Sequence, residues 1–203
     1  MRTLNIGILA HVDAGKTSLT ERLLFDHGAV DRLGAVDTGD TVTDDGGIER
    51  RRGITVRSAV AAFTVGDTRV NLIDTPGHSD FVAEVERALE VLDGAVLLLS
   101  AVEGVQARTR VLMRTLRRLR LPTLVFVNKI DRPGARTDAL LEDVRRLLTP
   151  HVAPLTGVTG AGTKGALVVR RPPDGGTAEA LAEVDPGILA ALVDGPEPTA
   201  GQV

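Results

Sequence analysis

Leu4-Asn5-Ile6-Gly7-Ile8-Leu9-Ala10-His11-Val12-Asp13-Ala14-Gly15-Lys16-Thr17-Ser18-Leu19-Thr20-Glu21-Arg22-Leu23-Leu24 reads as a strand, a loop and a helix in immediate succession. Leu4, Ile6, Ile8 and Leu9 make a short apolar run, and Leu19, Leu23 and Leu24 fall at helical spacing, with Gly28 as the expected C-cap. The loop between them ends Gly15-Lys16-Thr17. At such a place backbone N–H groups can cradle phosphate oxygens, Lys16 can reach the terminal phosphates, and Thr17 can ligate magnesium. Ala10 stands where the loop pattern has glycine, which loosens the motif. Its position between strand and helix tightens it again.

Outward from this unit, Ala29 to Gly53 is rich in Gly, Asp and Thr without a sustained period. It is far longer than the usual connection of about four to six residues, which marks it as functional or disordered. Ile54 to Val65 and Arg69 to Ile73 flank Gly66-Asp67, a hairpin signal that puts the first of these strands at a sheet edge. A helix (Asp80 to Val91), an apolar strand (Ala95 to Leu99), a helix (Gln106 to Leu119), an apolar strand (Thr123 to Val127) and a helix (Arg136 to Leu148) follow. Strands apolar on both faces and alternating with helices predict an α/β fold. The expected architecture is a P-loop NTPase with a mostly parallel, doubly wound sheet and helices on both faces. Residues 1–149 form the expected nucleotide-binding core. Residues 150–203 turn to Gly, Pro, Thr and Ala, with one apolar piece (Ala166 to Val169) and a helical pattern from Ala178 to Leu192 broken by Pro186.

Composition narrows the function classes. The 203 residues fit one medium domain, and a net charge of -3 gives no global basic surface, so any nucleic-acid contact must be a local patch. Without cysteine there is no disulfide framework, thiolate nucleophile or cysteine-bound zinc, in keeping with a reducing cytoplasm. No apolar run reaches the ~20 residues of a membrane span, and the first residues enter a strand rather than a signal peptide. The expectation is a cytoplasmic protein that engages neither membrane nor DNA. With no Trp or Tyr and four Phe, platforms for stacking single-stranded bases are nearly absent.

Two further elements lie at strand ends. Asp74-Thr75-Pro76-Gly77 follows the apolar strand Val70 to Ile73, and its place after a phosphate loop lifts it above ordinary turn chemistry. Asn128-Lys129-Ile130-Asp131 follows another buried strand. The Asp131 carboxylate can accept from N1–H and the 2-amino group of guanine, whereas adenine offers neither donor there. Charged hydrogen bonds contribute about 1.5 to 3 kcal/mol each, so losing two and burying an unpaired carboxylate discriminates strongly. The three elements together select a guanine nucleotide.

Ala10 to Thr17, Arg52-Gly53-Ile54-Thr55, Asp74-Thr75-Pro76-Gly77-His78 and Asn128 to Asp131 resemble the signature of the elongation factor G branch of translational GTPases. Leu4 to Thr17, Val36 to Thr55 and Thr109 to Asp131 are most similar to the tetracycline-resistance ribosomal protection proteins, of an actinobacterial type. The resemblance covers roughly the first two thirds of the chain. It implies a ribosome-bound factor that releases tetracycline, hydrolyses GTP to GDP and phosphate, and uses Mg2+. It further implies that Asp13, Ala14, Gly15, Lys16, Thr17, Ser18, Asp74 and Gly77 surround the phosphates and that Asn128, Lys129 and Asp131 hold the base. Thr17 and Thr55 would ligate the metal, with Asp74 holding it through water. Thr55 would also close over the γ-phosphate, which makes the Ala29 to Gly53 segment a switch. His78 would position the attacking water, with Lys16 and Thr55 beside it, and Val12 and Ile54 would gate that histidine. An elongation factor G-type translocase fragment, or a truncated product binding guanine nucleotide weakly, is the alternative reading.

The resemblance also sets an expectation of absence. The family closes its sheet with a strand bearing a Ser-Ala pair at the guanine and then a helix. Here the Ser-Ala pairs, Ser58-Ala59 and Ser100-Ala101, precede the base motif. The sheet is therefore expected to lack its last strand and helix, leaving Thr123 to Val127 as an apolar edge. A rival arrangement folds Ala166 to Val169 beside that edge, with Ala178 to Leu192 as substitute helix. Finally, Arg108, Arg110, Arg114, Arg117, Arg118 and Arg120 crowd the segment Gln106 to Arg120, with Arg110, Arg114 and Arg117 on one face and Leu112, Leu116 and Leu119 on another. That face is either solvated and internally paired or a contact for ribosomal RNA.

Overall fold

Residues 2–30, 60–74, 89–171 and 175–183 are described by the computed structural model of the chain. Their elements run β1 (Arg2–Ala10), α1 (Lys16–Asp26), β2 (Val60–Val65), β3 (Thr68–Asp74), β4 (Gly94–Ser100), α2 (Ala107–Arg118), β5 (Thr123–Asn128), α3 (Thr137–Leu147), β6 (Thr156–Thr159), β7 (Leu167–Arg170) and α4 (Gly175–Ala182). The chain groups into two compact units, Met1–Leu99 with Ala107–Asn128, and Ser100–Gln106 with Lys129–Val203.

The first unit is built on a five-stranded sheet ordered β2-β3-β1-β4-β5. β1 runs parallel to both β3 and β4, while β2 returns antiparallel on β3 through the two-residue turn Gly66-Asp67. The expected hairpin strand is thus at a sheet edge, with its Ile54 to Ala59 portion outside the described residues. Ile8, Leu24, Phe63 and Leu72 form a buried cluster that Leu19 and Leu23 of α1 complete. This is the helical spacing read from the sequence meeting alternate residues of three strands. Each leucine buried this way contributes about 1.5–3 kcal/mol. β4 is covered on both faces: Ala95, Leu97, Leu98 and Leu99 are all buried, as a central strand of a helix-covered sheet requires.

The cap of α1 falls one residue before the expected Gly28. The C-cap is His27, and Gly28 follows it in the left-handed conformation. The Ala29 N–H donates to Leu24 O at 2.8 Å and the Gly28 N–H to Phe25 O at 3.0 Å, which is the Schellman pattern. α2 ends the same way. The Leu121 N–H donates to Leu116 O at 3.0 Å and the Arg120 N–H to Arg117 O at 3.1 Å, but the left-handed position is held by Arg120, at φ 53°.

β5 lies at the edge of the main sheet among the described residues, with Leu124 48% and Phe126 38% exposed. The rival substitute strand does not form. Leu167–Arg170 pairs antiparallel with Thr156–Thr159 in a separate two-stranded sheet, within the second unit. In that unit α3 buries Leu140 and Val144, and α4 buries Ala178 and Ala182. α4 begins before the expected Ala178, and the remainder of the Ala178 to Leu192 pattern beyond Glu183 lies outside the described residues, as does most of the expected helix Asp80 to Val91.

Candidate functional site

In the first unit, β1 delivers the chain into a loop of alternating handedness. Asp13 has φ 61° and Gly15 has φ 97°, with Ala14 between them fully buried. The Ala14 N–H closes a turn on His11 O at 3.3 Å, and the Leu19 N–H donates to Gly15 O at 3.0 Å to start α1. Such alternation turns successive backbone N–H groups toward one concavity, a nest for anionic oxygens. Gly15 is the N-cap of α1, no side chain caps the helix, and its first turn holds no carboxylate. The positive end of the helix dipole therefore faces the nest with no carboxylate in the first turn of α1 to offset it.

Asn128, the last residue of β5, reaches this loop. Its Nδ2 donates to Ala14 O at 2.9 Å. A Cβ on Gly15 would stand 2.3 Å from the same Nδ2. Two demands thus fix glycine at position 15, the left-handed backbone and the passage of the Asn128 amide. On the sheet's other side of β1, Asp74 ends β3 in register with Ile8, on the strand adjoining the one that feeds the nest.

In the second unit, Lys129 turns the chain at φ 59°, and its Nζ pairs with Glu103 Oε1 at 3.0 Å. The Arg132 N–H closes the turn on Lys129 O at 3.2 Å, the Gly162 N–H donates to Ile130 O at 2.8 Å, and the Arg136 N–H donates to Ala101 O at 2.9 Å. The loop Lys129 to Arg132 is so braced by two neighbouring loops, 100–106 and 160–165. Asp131 is 54% exposed at its side chain, 3.9 Å from the Arg132 guanidinium, and its carboxylate is open to a ligand.

Of the residues singled out from sequence, Asp13, Ala14, Gly15, Lys16, Thr17 and Ser18 fall in the nest and the first turn of α1, and Asn128 joins them. Val12, on the same loop, is 72% exposed, and His11 is buried. Lys129 and Asp131 lie together in the braced loop of the second unit. Ile54, Thr55, Gly77 and His78 lie outside the described residues. Sequence reasoning missed Glu103 and Gly162. Neither carries a motif, because their roles come from a fold that brings distant loops against Lys129 and Ile130.

Residues fit for a magnesium–nucleotide complex are present. Among the described residues no cluster of three or more His, Asp or Glu could cage a metal by itself. Magnesium bound with phosphates needs only one or two protein oxygens, which a threonine hydroxyl on the first turn of α1 and a carboxylate at the end of β3 supply by type. Among the described residues no helix is long and apolar enough to cross a membrane.

The chain is similar to known proteins in sequence and fold. The family described as Elongation factor Tu GTP binding domain matches residues 1–193. The chain is 88% identical over all 203 residues to "Tetracycline resistance protein TetM" of Streptomyces lividans, covering 32% of that protein. It is 60% identical to "Oxytetracycline resistance protein" of Streptomyces rimosus, with 96% of this chain and 30% of that one covered. A crystal structure of a protein from Thermus thermophilus superposes with a TM-score of 0.78 at 33% identity, over 98% of this chain and 34% of that one. The chain spans about a third of the length of the relatives it matches. With a phosphate nest opening α1, an asparagine from β5 fastened to it and a family match over nearly its whole length, the chain belongs to the elongation factor Tu GTP-binding domain family of translational GTPases.

Proposed function

We propose that this chain is the guanine-nucleotide-binding part of a GTPase that works on the ribosome and protects it from tetracycline. The nucleotide part of the reading rests on one observation, the Asn128 Nδ2 bond to Ala14 O, which fastens Asn128 to the nest at the start of α1. The ribosomal part rests on the 88% identity over the full chain with a protein named for tetracycline resistance. Backbone N–H groups of Asp13 to Ser18 bind the phosphates, and the Lys16 ammonium neutralises the terminal ones. Asp131 accepts from the guanine N1–H and 2-amino group, with Asn128 and Lys129 framing the base. Thr17 and Thr55, with Asp74 through water, would hold Mg2+, which would offset phosphate charge. His78 orients water for in-line attack, Thr55 closes over the γ-phosphate, and Val12 and Ile54 keep His78 out until the ribosome engages. A protein of this kind works in the cytoplasm.

The test exchanges residues 1–203 of this chain for the matching segment of the Streptomyces lividans relative and measures ribosome-stimulated GTP hydrolysis and growth in tetracycline. The exchange protein is expected to keep both, and the same protein with His78→Ala to lose stimulated hydrolysis by at least ~100-fold, the scale of a lost positioned catalytic group. An exchange protein that binds GTP yet gives neither stimulated hydrolysis nor resistance would contradict the ribosomal reading.

A further inference from the structure

Gly104 to Ile130 carries six arginines and Lys129 with no Asp or Glu at all, in a chain of net charge -3. Within α2, Thr109, Leu112, Met113 and Leu116 are buried, while Arg110, Arg114, Arg117 and Arg118 are exposed on the opposite side. At 100° per residue those four arginines fall within about a third of the helix circumference and span roughly 12 Å of its axis. Arg120 follows at the helix end.

The other helices that carry arginine, α1 and α3, hold it differently. Arg22 on α1 pairs with Asp26 one turn away at 2.8 Å, and on α3 Arg145 pairs with Glu142 at 2.7 Å and Arg146 with Asp143. Arg110, Arg114 and Arg120 have no such partner among the described residues. Instead Arg110 and Arg114, and Arg114 and Arg117, stand as like charges at one-turn spacing, which destabilises a helix. The negative end of the helix dipole favours Arg117, Arg118 and Arg120, but Arg110, near the N-terminus, faces the unfavourable end. Arg120 carries a further cost. It occupies the left-handed C′ position that Gly28 fills in the same motif of α1, a conformation L side chains rarely adopt. A cationic face whose own stretch of sequence holds no carboxylate, extended by an arginine where glycine is easier, fits a polyanion of regular charge spacing.

We propose that the arginine face of α2, Arg110, Arg114, Arg117, Arg118 and Arg120, docks on the phosphate backbone of double-helical ribosomal RNA. The face reads shape and charge without base contacts, since guanidinium groups suit phosphate bidentately and no aromatic residue stands among them. The proposal rests on the ribosomal reading only for which RNA is met, and its test needs no hydrolysis.

The test titrates the 203-residue chain, loaded with GDP, against a fluorescent 20-base-pair RNA hairpin from 50 to 200 mM salt, with polyglutamate as the acidic-polypeptide probe. Three phosphate contacts correspond to a slope of about -2 to -3 in log affinity against log salt. The Arg110→Gln/Arg114→Gln/Arg120→Gln variant is therefore expected to have a slope shallower by that amount and affinity at least ~10-fold lower at 50 mM salt. Arg145→Gln/Arg146→Gln, on α3, is expected to leave both unchanged. The Arg110→Lys/Arg114→Lys/Arg120→Lys variant keeps the slope, and mantGDP binding verifies that each variant is folded. A single Arg120→Gly change is expected to raise the melting temperature while weakening RNA binding. Equal slopes for wild type and the Gln triple variant, or tighter binding to polyglutamate than to RNA, would overturn the proposal. Lost mantGDP binding in the wild type would instead count against the nucleotide reading and leave the RNA result standing.

Discussion

The side-chain amide of Asn128 donates to Ala14 O at 2.9 Å while passing over the bare Cα of Gly15, where a Cβ would stand 2.3 Å from it. A residue of the base motif and two residues of the phosphate nest thus share one packing problem, and glycine at 15 is its solution.

Gly15→Ala meets both halves of that problem, a left-handed φ of 97° and the Asn128 amide. The expected result is a loss of about 1–3 kcal/mol in stability and at least ~100-fold in GDP affinity, because the nest deforms with the backbone. Chemical denaturation and mantGDP titration measure the two. Wild-type affinity in this variant would mean that the nest is not where phosphate binds.

Asn128→Ala removes the donor and leaves Ala14 O without it. Such a loss costs about 1–3 kcal/mol, or roughly 5- to 150-fold in GDP affinity if the bond holds the binding geometry. Stopped-flow measurement should place the change in GDP release rather than association, since the phosphate loop would lose the support of Asn128 at Ala14. An unchanged release rate would show that the bond is structural only.

Glu103→Gln tests the brace behind the base loop. The Lys129–Glu103 pair at 3.0 Å is about one-third exposed at both ends, so solvent screens it. The expected effect is no more than ~1 kcal/mol, about fivefold in GDP affinity, fading at high salt. A larger loss that persists in 1 M salt would assign Glu103 a role other than holding Lys129.

The exposed edge at β5 predicts self-association. Leu124 and Phe126 stand 48% and 38% exposed on a strand with no outer neighbour among the described residues. Unpaired backbone and apolar side chains at one edge favour pairing with a second chain. Sedimentation velocity is expected to show concentration-dependent association that Leu124→Lys reduces. A monodisperse monomer at high concentration would show that the edge is protected.

Much of this fold was legible because its signals are local. The apolar run before Gly15 and the helical spacing of Leu19, Leu23 and Leu24 predicted β1 and α1, and Gly66-Asp67 predicted the hairpin of β2 and β3. Ala95 to Leu99 was readable as a strand because strands of a covered sheet are apolar without alternation, and Thr123 to Val127 was readable by the same apolar run, although its Leu124 and Phe126 stand exposed. β6 was not readable. Thr156–Thr159 is a four-residue Thr-Gly-Val-Thr strand with neither an apolar run nor a strong alternation, and it exists because β7 pairs with it. The phosphate loop and the Asn128 motif were visible in the order of residues. Their fastening by Asn128 and Ala14, and the support of Lys129 by Glu103, were not, because both depend on backbone paths that only the folded chain defines.

The central claim is that this chain selects guanine through Asp131, and competition against mantGDP tests it most directly. Wild type is expected to release mantGDP to GDP at concentrations at least ~100-fold below those needed for ADP or XDP, the discrimination expected when two charged hydrogen bonds are lost. Asp131→Asn should reverse the order of GDP and XDP, because the xanthine 2-oxo group needs a donor where guanine needs an acceptor. Equal displacement by GDP and ADP in the wild type, or an unchanged order in Asp131→Asn, would contradict the account.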